Sequence, residues 1–339
     1  MQILLTHLAV LYKYPMRIPI LFGPDIFKTQ CLPDVELVYI DDHLGHEYHE
    51  NTFRQLNALL KNSNVNVVIE YIATQDIQPV YKNKLMCLPF QTYHTCHAMQ
   101  KTMPFNDWGV KQGVFNFCLN KKRGNRDWLL KQLARLNLKT EFYTVSWSEE
   151  SLYPNRFWLA EHSERLGSNI NNSSHTNLFL YDQFLRDHVY EPTLISLITE
   201  PEWQPRATFL SEKTVFAFEA GTIPIWVGGY GQAHSLKSLG FDVFSDIVDH
   251  SYQFESNAVR RMELALESNL QLFSDFDRLN NFFIQNRQRF EHNRKLLRSG
   301  NWFYDHLRME IARTNWPQQQ MLDIMRYLVV EHNYQWTKS

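Results

Sequence analysis

Arg126, Glu200, Ser211, Glu212 and Lys213 are of types suited to holding an anion and a polyol. Arginine grips a phosphate with a two-pronged fork, and lysine presents a compact charge to it. Carboxylates accept from hydroxyls, the groups that cover a ribose or a sugar. Three of these residues fall at the start of one helix. The run Phe209–Gly228 reads as a loop, a helix, a stop, a buried strand and a second loop. Ser211 is the N-cap, its side-chain oxygen accepting from free first-turn amides. Glu212 and Lys213 occupy the first turn, at the positive end of the helix, which favours anions. Gly221 supplies a left-handed stop. Ile223–Val227 is apolar at nearly every position, as befits a parallel strand covered on both faces. An exposed Glu-Lys pair at the carboxyl edge of such a sheet, where open α/β folds bind ligands, suits a nucleotide-sugar. A Ser-Glu-Lys opening is equally an ordinary helix start, so on their own these residues leave a structural role open.

The elements that position them alternate along the whole chain. Residues 1–110 carry short β-branched runs at Ile18–Phe22, Glu36–Ile40, Val65–Ile72 and Leu85–Leu88, with a helical stretch at Asn51–Asn62. That pattern predicts a small α/β domain. Residues 105–113 form the connector. A second alternation follows: strand Val114–Leu119, helix Asp127–Leu136, strand Glu141–Ser146, helix Leu178–His188, strand Thr193–Ile198, helix Glu212–Ala220 and strand Ile223–Val227. From about 257 to 313, Leu, Phe, Arg and Glu recur at helical spacing. The segment beyond about 300 is expected to pack back on the first domain. The division is therefore 1–110 (acceptor side), 111–300 (donor binding) and 301–339 (C-terminal helices).

The stretch 209–228 resembles the donor-binding motif of α1,3/α1,4-fucosyltransferases. Glu212, Lys213, Gly221, Ile223, Pro224, Ile225 and Gly228 match it, and Ser211 stands where that family has Thr. Leu194–Glu200 is similar to the family's apolar strand ending in Phe-Glu-Asn, with Glu200 matching and Pro201 departing. Val114–Leu133 resembles its strand, basic loop and helix. Arg126 there matches the arginine that contacts the donor diphosphate, and Arg123 stands in the basic loop with Lys121 and Lys122. Gly228–Gly231 and Leu239–Tyr252 look like fucosyltransferase-like proteins of viral and bacterial genomes. The resemblance covers roughly 111–255 and leaves the first 110 residues without a match. It implies a GT-B fold, with two Rossmann-like α/β domains facing across a cleft. It also implies inverting transfer of a sugar from a donor of the GDP-fucose kind to a hydroxyl of a glycan acceptor.

Such a transfer needs charge on the leaving diphosphate neutralised and a base for the acceptor hydroxyl. Arg126 and Lys213 can neutralise the diphosphate without a metal, so no cofactor is expected. The base should come from the first domain: Glu70 ends the run Val67-Val-Ile, and Asp41 with Asp42 ends Val38-Tyr-Ile. Strand-terminal acids are also plain turn formers. His43, His46 and His49 near Asp41 and Glu47, and His94, Cys96 and His97, lack the complement of a zinc motif.

Composition bounds the alternatives. The chain has 339 residues, 44% hydrophobic and 21% charged, which suits a folded protein of two domains. Aromatic residues make up 14%, enough to line sugar sites as well as cores. A net charge of −2 lacks the basic excess of a nucleic-acid binder. Four cysteines without Cys-x-x-Cys spacing read as free thiols of a reducing compartment. The N-terminus reads as a strand rather than a secretory signal, and no apolar run is long enough to span a bilayer. A soluble protein of a bacterial or virus-infected cytoplasm is the expectation. A catalytically silent structural or carbohydrate-binding protein on the same frame is the alternative.

Overall fold

The computed structural model describes Ile20–Phe22, Leu37–Asp41 and most of 51–316, apart from 63–65, 70, 72, 90–91, 94–95, 97–106, 120–121, 149, 155, 157–183, 201–202, 204–205 and 315. Two four-stranded sheets, parallel throughout, organise these residues. The first takes β1 (Ile20–Phe22), β2 (Leu37–Asp41), β3 (Asn66–Ile69) and β5 (Leu85–Cys87) in the order β1-β2-β3-β5. Helix α1 (Asn51–Asn62) links β2 to β3. It buries Phe53, Leu56 and Leu60 at helical spacing against the sheet, while Arg54, Ala58 and Lys61 stay exposed.

The second sheet has the order β10-β8-β6-β7, built from β6 (Gly113–Leu119), β7 (Tyr143–Val145), β8 (Thr193–Ile198) and β10 (Ile223–Trp226). All six residues of β8 and all four of β10 are buried, as strands covered on both faces must be. Helix α2 (Gly124–Arg135) follows β6, and α3 (Glu212–Glu219) precedes β10. Helix α3 is buried at every position from Lys213 to Glu219, so it is a core helix rather than an amphipathic cover. Helices α4 (Gln232–Ser238), α5 (Ala258–Glu267), α6 (Phe276–Gln285), α7 (Arg287–Ser299) and α8 (Asn301–Thr314) complete the described chain.

The α/β class and the parallel sheets agree with the sequence reading, and several boundaries differ from it. Helix α2 begins at Gly124 rather than Asp127, because extended Arg123 ends the loop and Asp127 N–H already bonds Arg123 O. The strand expected over 141–146 shortens to Tyr143–Val145, and that over 65–72 to Asn66–Ile69. Beyond it the chain leaves the sheet, and Ala73–Thr74 forms β4. Of the helix expected over 178–188, the described part runs from Phe184 and becomes a π-helical turn at Arg186–Tyr190. Glu70, Asp42, His43, His46, His49, His94 and His97 lie outside the described residues.

A shared core that packs Val68, Met86 and Leu88 with Phe216 and Trp302 joins the segments, and two strand seams reinforce it. Strand β4 pairs antiparallel with β9 (Ala207–Thr208), just ahead of α3. The other seam is at β5, an edge strand of the first sheet. Its outward groups are taken by side chains of α8. Cys87 N–H donates to Glu310 Oε2 (2.8 Å), His306 Nε2 donates to Cys87 O (2.8 Å), and Arg313 Nη2 donates to Leu85 O (2.5 Å). Satisfying an edge with side chains removes the exposed ladder that would otherwise invite another strand. Glu310→Ala leaves the Cys87 amide buried without its acceptor and Arg313 without its carboxylate. The expected loss is about 2 kcal/mol of folding stability, and Glu310→Gln, which keeps an acceptor, should lose less. Urea unfolding midpoints of the two variants at unchanged slope check this.

Candidate functional site

The order of the second sheet locates its ligand edge. The chain passes from β6 to β7 on one side, then returns to lay β8 on the other side of β6. The strand order therefore reverses between β6 and β8, and the crevice outside their carboxyl ends is where open α/β sheets bind ligands. Arg126 follows β6 in the first turn of α2, and Glu200 follows β8 two residues after its end. Asn125, fully buried, ties these ends together: its Nδ2 donates to Glu200 O (2.9 Å) and its Oδ1 accepts from Arg126 N–H (3.0 Å).

Glu200 is the centre of the arrangement and is 1% exposed. Its Oε1 accepts from Ser211 N–H (3.1 Å) and from Thr214 Oγ1 (3.0 Å), so the end of β8 holds the start of α3. Thr214 Oγ1 also accepts from Trp226 Nε1 (2.9 Å), carrying the network to β10. Glu200 Oε2 is buried with no hydrogen-bond partner among the described residues. Burial raises the carboxyl's pKa, and the Lys213 charge and the bonds from Ser211 pull it back only in part. Ser211 is the N-cap as read from the sequence, its Oγ accepting from Lys213 N–H (3.3 Å).

The Glu212–Lys213 pair differs from the exposed pair that was expected. Lys213 is 7% exposed, whereas the Glu212 side chain is 47% exposed. Lys213 lies on the face of α3 turned to the sheet, close enough to lower the pKa of the buried Cys118 thiol in β6 against the larger effect of burial. Its Nζ donates to Glu212 Oε1 (2.7 Å). Desolvation opposes ionisation of Glu212, but the charge and hydrogen bond of Lys213 and the charge of Arg126 outweigh it, so the carboxyl is held below its ordinary value. Arg126 is itself 5% exposed. Burial, and then repulsion from half-buried Arg123, brings it down to about 10, which leaves it charged at neutral pH. Arg123, Arg126, Glu200, Ser211, Glu212 and Lys213 thus share one electrostatic neighbourhood.

Gly228 ends β10's loop with φ of 91°, and a Cβ there would meet Met262 Cγ at 2.9 Å. The turn is fixed by Arg261, which the sequence reading missed. Wholly buried, it donates to Gly228 O (2.8 Å), Glu255 O (2.5 Å) and Trp203 O (2.5 Å). Lys111 was missed in the same way. Its Nζ donates to Glu191 O (2.8 Å), Ala220 O (3.1 Å) and Gly221 O (3.1 Å), closing the carboxyl end of α3. Burial brings its pKa down to about 7. Both residues look like surface cations in the sequence, and only long-range contacts reveal their roles.

Asp41 closes β2, paired with Phe22. Nothing described joins it to the second-sheet crevice. Among the described residues no group of three or more His, Cys, Asp or Glu side chains converges as metal ligands would, and no helix is long and apolar enough to cross a membrane. One Asp-x-Asp occurs, at Asp275–Asp277, where Asp275 caps α6 by accepting from Arg278 N–H (3.1 Å). Phe273, two residues before it, packs edge-on against Phe115 near the start of β6, away from Arg126. Cys87, Cys96 and Cys118 are free and buried. Comparison with family models, curated proteins and solved structures gave no match.

The raised Glu200 pKa has a definite sign. The folded chain keeps this proton over a pH range in which the unfolded chain has lost it, so the residue's contribution to stability falls as pH rises through that window. Glu200→Gln removes the dependence. The variant should therefore gain on the parent between pH 4.5 and pH 8 in urea midpoint. A difference that stays constant with pH would contradict the buried-acid assignment.

Proposed function

We propose that the protein is an inverting glycosyltransferase of the GT-B type, which moves a sugar from a nucleotide-sugar, with GDP-fucose the first candidate, to a hydroxyl of a glycan acceptor. The observation that carries this reading is the gathering of Arg126 and Lys213 with the carboxylates of Glu200 and Glu212 at the β6/β8 switch point. Two cations beside a helix N-terminus can offset the charge that develops on a leaving diphosphate. Half-exposed Glu212, already ionised, is suited to accept from donor hydroxyls. Buried Glu200 acts by holding the α3 N-terminus in register with the strand ends. The two separate parallel sheets are compatible with a donor domain and an acceptor domain. The acceptor hydroxyl would lose its proton to a carboxylate of the first segment, for which Glu70 and Asp41 are the candidates. A cytoplasmic enzyme fits the unpaired buried thiols.

One observation favours a second reading, a catalytically silent carbohydrate-binding protein on the same frame. The Lys213 ammonium is already paired with Glu212, so a diphosphate would have to share or displace that bond. A thermal-shift panel of nucleotides and nucleotide-sugars separates the two. A true donor at 100 times its Kd stabilises by about 2.7 kcal/mol, whereas a flat panel supports the silent reading. Arg126→Ala and Lys213→Ala should each weaken GDP binding about ten- to a hundredfold, the worth of one charge-assisted contact, with the far-ultraviolet spectrum unchanged. Glu212→Ala should impair the nucleotide-sugar more than inorganic pyrophosphate.

Transfer should also persist in EDTA within a small factor, since side-chain cations and the α3 N-terminus supply the neutralising charge. Activity lost to the chelator and restored by Mn²⁺ would overturn that arrangement.

A further inference from the structure

Three aromatic rings meet at the surface beyond the carboxyl end of β10. Phe254 closes the 3₁₀ turn Ser251–Phe254 and is 56% exposed. Its ring stands 5.9 Å from that of Tyr230, at 85°, and 5.8 Å from that of His234, at 71°. His234 is exposed as well, and Tyr230 is half-buried. We infer that these rings form a stacking platform for a neutral pyranose ring of the glycan acceptor, the acceptor role resting on the transferase reading above.

A single exposed apolar side chain is ordinary, but rings in mutual contact make a patch. Sugar chemistry fits this one. One face of a pyranose carries C–H groups, which pack on the electron-rich face of an aromatic ring, while the hydroxyls at its rim call for polar neighbours. Such neighbours stand beside Phe254 in the chain, where Ser251, Ser256 and Asn257 are all exposed. Arg261 lies over the Tyr230 ring at 5.4 Å, yet it is wholly buried, with its guanidinium turned to the backbone oxygens of Gly228, Glu255 and Trp203. The cation behind Tyr230 thus serves the backbone, and the rings present faces rather than that charge. A neutral sugar suits them better than a phosphate.

The rings are held in place by their own loops. Gly231 turns the chain at φ of 66°, and a Cβ there would lie 3.8 Å from Phe254 Cε1. Gly231 N–H donates to Gln253 O (3.2 Å), and Ala233 N–H donates to Gln253 Oε1 (2.7 Å). The turn that carries Phe254 is therefore bound to the segment that carries Tyr230 and His234. Fixed loops reduce the ordering cost of binding.

Position points to the acceptor. Strand β10 runs parallel to β8 with Trp226 beside Ile198, so the loop at Tyr230 and the strand end at Glu200 share one sheet edge. Thr208 Oγ1 donates to Tyr230 O (2.8 Å), and Gln232 Nε2 donates to Phe209 O (2.9 Å). Thr208 stands three positions before the Ser211 N-cap, at most about 11 Å of extended backbone. It also pairs with Ala73 of β4, the strand that arrives from the first segment. The platform lies on the β10 side of β8, whereas Arg126 follows β6 on the other side. A second substrate is expected there, between the charged residues of the donor crevice and the first segment.

The test uses the whole protein and three neutral tetrasaccharides: chitotetraose, cellotetraose and lacto-N-neotetraose. Binding is read by saturation-transfer NMR titration for the parent and for Phe254→Ala, Phe254→Leu and Phe254→Trp, all at an exposed position. At least one probe should bind, with saturation concentrated on the C–H protons of one ring face. Phe254→Ala and Phe254→Leu should weaken that binding about tenfold, and Phe254→Trp should keep it. Added salt should leave it unchanged. A GDP thermal shift on the same samples should be alike in parent and variants. Absent binding of all three probes, equal affinity in the parent and Phe254→Ala, or full retention in Phe254→Leu would overturn the inference. Loss of the GDP shift in Phe254→Ala would make the rings a nucleobase site and overturn it too. So would a dimer in sedimentation that Phe254→Ala dissociates, since the rings would then be a contact between copies. Saccharide binding through Phe254 in a parent without any GDP shift would keep the platform, overturn its acceptor role and refute the transferase reading.

Discussion

The second sheet and its candidate site depend on one buried carboxylate. Glu200 stands at the end of β8, and its Oε1 holds the Ser211 amide and the Thr214 hydroxyl together. A buried polar oxygen costs free energy unless it is hydrogen-bonded, so the two bonds to Oε1 favour α3 starting at this point and in this direction. That single requirement sets which residues of α3 turn towards the sheet. It sends Lys213 inward and leaves Glu212 at the surface. The same residue's backbone oxygen receives Asn125, so α2 is set from the same anchor.

The opposite end of α3 is closed with equal economy. Lys111 gathers the last carbonyls, and Gly221 turns the chain at φ of 63° where a Cβ would lie 2.7 Å from Trp108. Glu219, almost wholly buried, is paired with Arg298 of α7. A helix buried on all sides cannot rely on an apolar stripe for orientation. Its ends and the deep pair of Glu219 with Arg298 supply that orientation instead.

Local signals in the sequence make much of this legible. The N-cap at Ser211, the stop at Gly221 and the apolar runs of β8 and β10 are written in consecutive residues, and the helix and strands lie where those residues put them. The helix at Asn51–Asn62 was equally plain, since its buried face repeats at helical spacing. What escaped was non-local. Arg261 and Lys111 look like surface cations until three distant carbonyls converge on each. Lys213 reads as exposed because first turns are commonly polar, yet it is buried in the folded chain. Asn125 carries no signal beyond its place in a helix start.

The covering of β5 has a consequence in time. The bond from Cys87 to Glu310 spans 223 positions. At ~5–20 residues per second of synthesis, the first sheet waits about 10–45 s after its edge strand emerges before the helix that seals it exists. During that interval the newborn chain carries an open β-edge in a crowded cell. The order of manufacture, as much as the finished architecture, therefore defines when this protein is most vulnerable to pairing with a neighbour.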